Sequence, residues 1–158
     1  MRSTALAPAR GLLYKNLVVS ALPTTTAAEP GMPTRVSKRI LLVDDHVDTR
    51  EIYAFLLRDS GHVVYEAADG PAALNVLRNI EVDAAVVDIG LPGMDGYELA
   101  QQIRADTAYS GVTLIAVTGH GLAEDRAHSR AVGFDLHLVK PVTPDELLRA
   151  LLQARGGS

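Results

Sequence analysis

Cysteine is absent from all 158 residues. Disulfides, thiolate nucleophiles and Cys-based metal sites are thereby excluded, while the redox character of the compartment is left open. Long apolar runs are missing too: no stretch reaches the roughly 20 residues that a membrane span needs. The most apolar stretch near the start, Leu12 to Leu22, is short and carries Lys15 and Asn16 inside it. Arg2 and Arg10 before it and Ala27-Ala28 after it give the outline of a signal peptide. The interrupted apolar centre favours instead a disordered leader over residues 1–37, rich in Ala, Thr and Pro. An over-extended start, with Met32 as the true first residue, is the alternative. Positive charge is scarce where the chain is expected to fold. Residues 1–39 hold six Lys/Arg against one Glu, whereas residues 40–158 hold nine against eighteen Asp/Glu. An acidic domain is a poor phosphate-backbone binder, so neither nucleic acid nor membrane is expected as a partner. Only Gly156-Gly157-Ser158 follow the last predicted helix, and no DNA-binding domain is expected there.

What is present suits one ordinary core: 47% of residues are hydrophobic and 22% charged,. From Arg39 the pattern alternates. Ile40 to Val43 is a short continuous apolar run, the mark of a strand buried on both faces. Asp48 to Ser60 has helical spacing, with Ile52, Phe55 and Leu56 predicted on the core face and Gly61 as the stop. Val63 to Tyr65 predicts a second strand, and Gly70-Pro71 opens a helix carrying Leu74, Val76 and Leu77. Ala84 to Val87 is a third strand. Asp95 and Glu98 form a capping pair for a helix with Leu99 and Ile103. Val112 to Val117 is a fourth strand, and Leu122 to Val132 a polar, Ala-rich helix ended by Gly133. Leu136 to Val139 is the fifth strand. Thr143-Pro144-Asp145-Glu146 then reads as N-cap, first-turn proline and capping-box Glu for a helix burying Leu147, Leu148, Leu151 and Leu152. Five βα units in a row predict an α/β fold: a doubly wound, five-stranded parallel sheet of flavodoxin-like (βα)5 type, over residues 38–155 with a short tail at 156–158.

In such sheets ligands bind beyond the carboxyl ends of the strands. The chemistry-bearing residues fall there: Asp44-Asp45 after strand one, Asp88 after strand three, Thr118 after strand four, Lys140-Pro141 after strand five. Three clustered carboxylates repel one another unless a cation sits among them. Hard oxygen donors suit Mg²⁺, which binds through a few carboxylates plus a phosphate. Asp88 can act as a nucleophile, forming an acyl phosphate, with metal, Lys140 and Thr118 sharing the charge of the transferring group.

The segments LLVDD at 41–45, VVDIGLPGMDGYEL at 86–99, AVTGHG at 116–121 and LVKP at 138–141 together resemble the response-regulator receiver family. The resemblance covers roughly residues 38–155. It implies Mg²⁺ held by Asp44, Asp45, Asp88 and the backbone carbonyl of Gly90, with Asp88 as phosphoacceptor. It also implies phosphoryl binding by Thr118 and Lys140, and a cis Lys140–Pro141 peptide. Two positions depart from the usual family pattern. His137 stands where strand five usually carries Tyr or Phe, and its Gly-Phe-Asp…His pattern resembles the receivers of hybrid sensor kinases; with Thr118 it is the expected switch pair. His120 stands two residues after Thr118, where the family's side chain influences acyl-phosphate lifetime.

Taken singly, these residues have plainer readings. Asp44-Asp45 is a loop start, Asp88 a cap, Thr118 a strand-end hydroxyl, Lys140 a solvated charge, and His46 a loop residue. Gly93 and Gly96 serve turn geometry. Only their joint placement overrides those readings. Tyr53 and Leu57, one turn apart and off the predicted core stripe, are either an exposed contact for a phosphohistidine partner or the core margin. The expected protein is a cytoplasmic single-domain response regulator of a two-component system or phosphorelay, phosphorylated by a sensor histidine kinase or histidine phosphotransfer protein and acting on a downstream protein. It is not expected to be a classical enzyme. A flavodoxin would want a Gly/Ser/Thr-rich turn where Asp45-His46-Val47 stands. An aspartate-based phosphatase would carry its nucleophile on strand one.

Overall fold

The computed structural model describes residues 36–154. Its elements alternate strictly: β1 (Arg39–Val43), α1 (Val47–Asp59), β2 (Val63–Ala67), α2 (Gly70–Asn79), β3 (Ala84–Asp88), α3 (Gly96–Ala105), a 3-10 turn at Thr107–Tyr109, β4 (Thr113–Thr118), α4 (Ala123–Val132), β5 (Leu136–Val139) and α5 (Pro144–Gln153). The five strands form one parallel sheet in the order β2-β1-β3-β4-β5, the flavodoxin-like order predicted from the βα alternation,. The expectation for the leader at 1–35 lies outside the described residues. Val36 and Ser37 are exposed.

β1 to β4 feed two cores because successive side chains point to opposite faces,. Leu41, Val43, Ala85, Val87, Leu114 and Ala116 pack with α2 and α3, and with Val132 and Phe134 at the end of α4. Ile40, Leu42, Ala84, Val86, Ile115 and Val117 pack with Ala54 and Leu57 of α1 and with Leu147, Ala150 and Leu151 of α5. β3 and β4 are buried throughout, whereas β5 at the edge is half-buried along its length. The predicted caps form. Asp95 and Thr143 each accept from the backbone of a Glu three residues on, and that Glu reaches back to the cap amide. Gly133 ends α4 at φ 111°, a left-handed conformation that costs other residues more,.

Two helix faces differ from expectation. In α1, Ile52 and Phe55 are exposed and Ala54 and Leu57 face the sheet. Apolar residues occupy 52 through 57, so two stripes at helical spacing compete. The 54/57 stripe presents a small Ala to the sheet, while the 52/55 stripe runs on from acidic Asp48 and Glu51. In α5, Leu152 is 81% exposed, because Leu147, Ala150 and Leu151 already fill the inward face.

Candidate functional site

The strand ends converge as a parallel sheet requires. Asp44 directly follows β1 and Asp88 ends β3; both are buried, at 3% and 5% exposure. Asp44 Oδ1 accepts from the His46 amide at 2.8 Å, which turns the chain into α1. Arg50, one turn into that helix, donates to the Asp44 carbonyl at 2.7 Å and contacts Glu66 of β2 at 3.3 Å. Asp88 Oδ1 accepts from the Gly90 amide at 3.0 Å. A Cβ on Gly96 would lie 2.7 Å from the Asp88 carbonyl oxygen and from Ile89 Cα. Gly96 is therefore needed for the close approach of α3 to the end of β3 rather than for turn geometry. Gly93, at φ 75°, does serve the turn.

Lys140 closes the far side. Its backbone N–H donates to the Thr118 carbonyl at 2.8 Å, and the Lys140–Pro141 peptide is cis, as the resemblance implied. Its Nζ donates to Asp88 Oδ2 at 3.0 Å and stands 3.9 Å from Asp44 Oδ2. Burial pushes this ammonium down, but the hydrogen bond and charge of Asp88 and the charge of Asp44 outweigh it, and the net direction is upward,. The buried Thr118 hydroxyl oxygen accepts from the His120 amide at 3.1 Å.

Ligand atoms of Asp44, Asp45, His46 and Asp88 lie within 4.8 Å of one another. Asp45 Oδ1 is buried without a hydrogen bond, although the His46 ring nitrogen stands 3.1 Å away. Three clustered carboxylates, two of them reached by one ammonium, with a buried oxygen lacking a donor, are a donor set that fits Mg²⁺: hard, anionic and incomplete,.

The structure thus brings Asp44, Asp45, Asp88, Thr118 and Lys140 to one rim, with Gly90 beside them. His137 lies apart on β5, its Nδ1 2.9 Å from Ser129 Oγ of α4. Tyr53 is half-buried, with its hydroxyl 3.5 Å from the Val142 carbonyl. Burial pushes its phenol up against the opposing charge of Lys140, so the ring stands within electrostatic reach of the rim. Leu57 is no exposed contact: it is fully buried between the sheet and α5. Sequence reasoning missed Arg50 and Ser129. Each acts on a partner distant in the chain or on another element, and neither sits in a local motif.

The sequence model of the response regulator receiver domain matches residues 40–152. The sensor histidine kinase RcsC of Salmonella typhi is 40% identical over 134 residues, which cover 84% of this chain and 13% of RcsC. The chemotaxis response regulator CheY4 of Vibrio cholerae superposes with a TM-score of 0.72 at 30% identity, over 76% of this chain and 100% of that one. The receiver domain of the sensor histidine kinase PA1611 from Pseudomonas aeruginosa has a magnesium ion coordinated in its active site cleft. It superposes with a TM-score of 0.69 at 33% identity, over 75% of this chain and 98% of that one.

Proposed function

The chain belongs to the response regulator receiver domain family of two-component signalling proteins, and on that premise we propose that it takes a phosphoryl group from a phosphohistidine partner onto Asp88. The observation that carries this reading is the pairing of Lys140 with Asp88 Oδ2 at 3.0 Å beside a buried Asp45 oxygen that has no hydrogen bond. In the transfer, a carboxylate oxygen of Asp88 bonds to phosphorus as the P–N bond breaks, and the electron pair returns to the partner's imidazole. Lys140 meets the incoming phosphoryl charge, and the Thr118 hydroxyl gives it a neutral donor. Asp44, Asp45, Asp88 and the Gly90 carbonyl would hold Mg²⁺. Bound there, the ion supplies positive charge against the phosphoryl oxygens. The partner is a sensor histidine kinase or histidine phosphotransfer protein, and the site of action is the cytoplasm. Signalling runs through protein contact, as the acidic balance of residues 40–158 disfavours nucleic acid,. The likeness to a segment of RcsC supports a relay role, in which Asp88 hands the group on to another histidine.

Thr118 and His137 are proposed as the switch. In the β4–β5 register Thr118 pairs with Val139 and Ala116 with His137, so the two side chains share one face of the sheet. Drawing Thr118 toward a phosphoryl on Asp88 frees space beside β5 for the His137 ring, and the α4–β5–α5 face reports it.

Intact-mass measurement tests the acceptor. Acetyl phosphate with Mg²⁺ should add one phosphoryl mass to the wild type and none to Asp88→Asn, and EDTA should abolish the gain. An equal gain in both proteins sinks the assignment.

A further inference from the structure

The α4–β5 contact contains a hydrogen-bond relay whose direction can be worked out. Ser129 is 1% exposed, and its hydroxyl donates to the Asp125 carbonyl one turn back at 2.8 Å. A serine hydroxyl has a single proton. With that proton on the Asp125 carbonyl, the 2.9 Å contact between Ser129 Oγ and His137 Nδ1 takes its hydrogen from the histidine, which assigns His137 the Nδ1–H tautomer,. Its Nε2 is then a bare acceptor, and that atom is buried without a partner. One end of the ring is pinned to α4, and the other is buried without a protein hydrogen-bond partner. Such an acceptor favours any arrangement in which it finds a donor.

The anchorage of α4 makes this bond matter. Of its ten residues only Ser129 and Val132 are buried. Ser129 is thus one of its two buried residues and the one that ties it to the proposed switch residue, while His128 holds the neighbouring helix α3 through an edge-to-face contact with Tyr97 at 4.3 Å.

We propose that Ser129 is a positioning residue: its hydrogen bond to His137 latches α4 to β5 in the resting protein and is the bond released when Asp88 is phosphorylated. The latch rests on the receiver reading above. Thr118 lies on the same face of the sheet, two residues further along the neighbouring strand from the position paired with His137. When Thr118 moves toward the phosphoryl group, the ring can follow only by leaving Ser129. α4 then keeps Val132 and the His128–Tyr97 ring contact as its hold on the domain and repositions.

Nitrogen-15 imidazole spectra and amide exchange test the latch. Resting wild type should show His137 as the Nδ1–H tautomer. Beryllofluoride with Mg²⁺, a phosphoryl mimic, should erase that signature and speed exchange in α4. Ser129→Ala should lose the signature without the mimic, exchange at least threefold faster in α4, and show little further change on adding it. Its phosphoryl uptake at Asp88 should persist. In a His137→Phe background Ser129→Ala should add nothing, because the bond is already gone. An Nε2–H tautomer in resting wild type overturns the proposal, as does a Ser129→Ala protein with wild-type α4 exchange and full response. If the mimic leaves the amides around Asp88 unchanged, the acceptor reading itself fails. If those amides respond while the Ser129–His137 signature stays, the latch alone is wrong.

Discussion

At the scale of single residues, the rim is a problem of uncompensated charge. Asp44 and Asp88 are buried, and Lys140 reaches both, at 3.9 and 3.0 Å. Removing that ammonium separates two roles. Lys140→Ala should bind Mg²⁺ at least as tightly as wild type, since a cation neighbouring the ion is gone, while phosphoryl gain from acetyl phosphate slows roughly tenfold or more. Calorimetry and a mass time course read the two effects, and loss of metal binding in the variant would show that Lys140 holds the carboxylates in place instead. Lys38, unlike the half-buried Lys140, is a buried cation and serves structure. It is 7% exposed and donates to the carbonyls of Leu151 and Ala154 at the end of α5. Burial pushes its ammonium down, with the charge of Asp83 opposing. Those carbonyls lie at the negative end of the helix dipole, where a cation is favoured. Lys38→Met leaves them without their donor, at about 1–3 kcal/mol. The melting temperature should fall by several degrees, and an unchanged value would show that the two bonds contribute nothing.

At the scale of elements, α1 is the helix with a large apolar surface left over. Ile52 and Phe55 are 59% and 53% exposed, beside Asp48 and Glu51, on a helix that starts at the rim. On the proposed phosphotransfer to Asp88, this face would suit an amphipathic partner helix that carries the phosphohistidine. Ile52→Ala with Phe55→Ala should slow transfer from a phosphorylated histidine partner about tenfold, because exposed aromatic anchors dominate such interfaces. Uptake from acetyl phosphate should be unaffected, and surface truncation should shift stability by only about 0.5 kcal/mol. Equal slowing with both donors would place the defect in the rim rather than at docking. The sequence pattern marked this helix but not its inward face, since six consecutive apolar residues satisfy more than one helical stripe. Capped helices were easier to read. Asp95 with Glu98 and Thr143 with Glu146 state their own ends through local hydrogen bonds.

At the scale of the molecule, the five βα units are complete within the described residues, and Ser37 and Lys38 are the first of those residues to be tied to the domain. Ser37 donates to the Gly61 carbonyl at 2.8 Å. A chain beginning at Met32 keeps both anchors and should match the full chain in melting temperature and phosphoryl uptake. A loss of several degrees would show that the leader packs on the domain. The sequence alone determined the alternation of buried strands and helices, hence the parallel sheet, and the placement of Asp44, Asp45, Asp88, Thr118 and Lys140 at its rim. Both are legible because parallel strands carry continuous apolar runs and the reactive residues follow them directly. Only the tertiary structure decided which side of α1 faces the sheet, that Arg50 braces the Asp44 backbone, and that Ser129 holds His137. Each depends on two elements meeting at a particular rotation. Residue order constrains that rotation weakly, and packing against the sheet settles it.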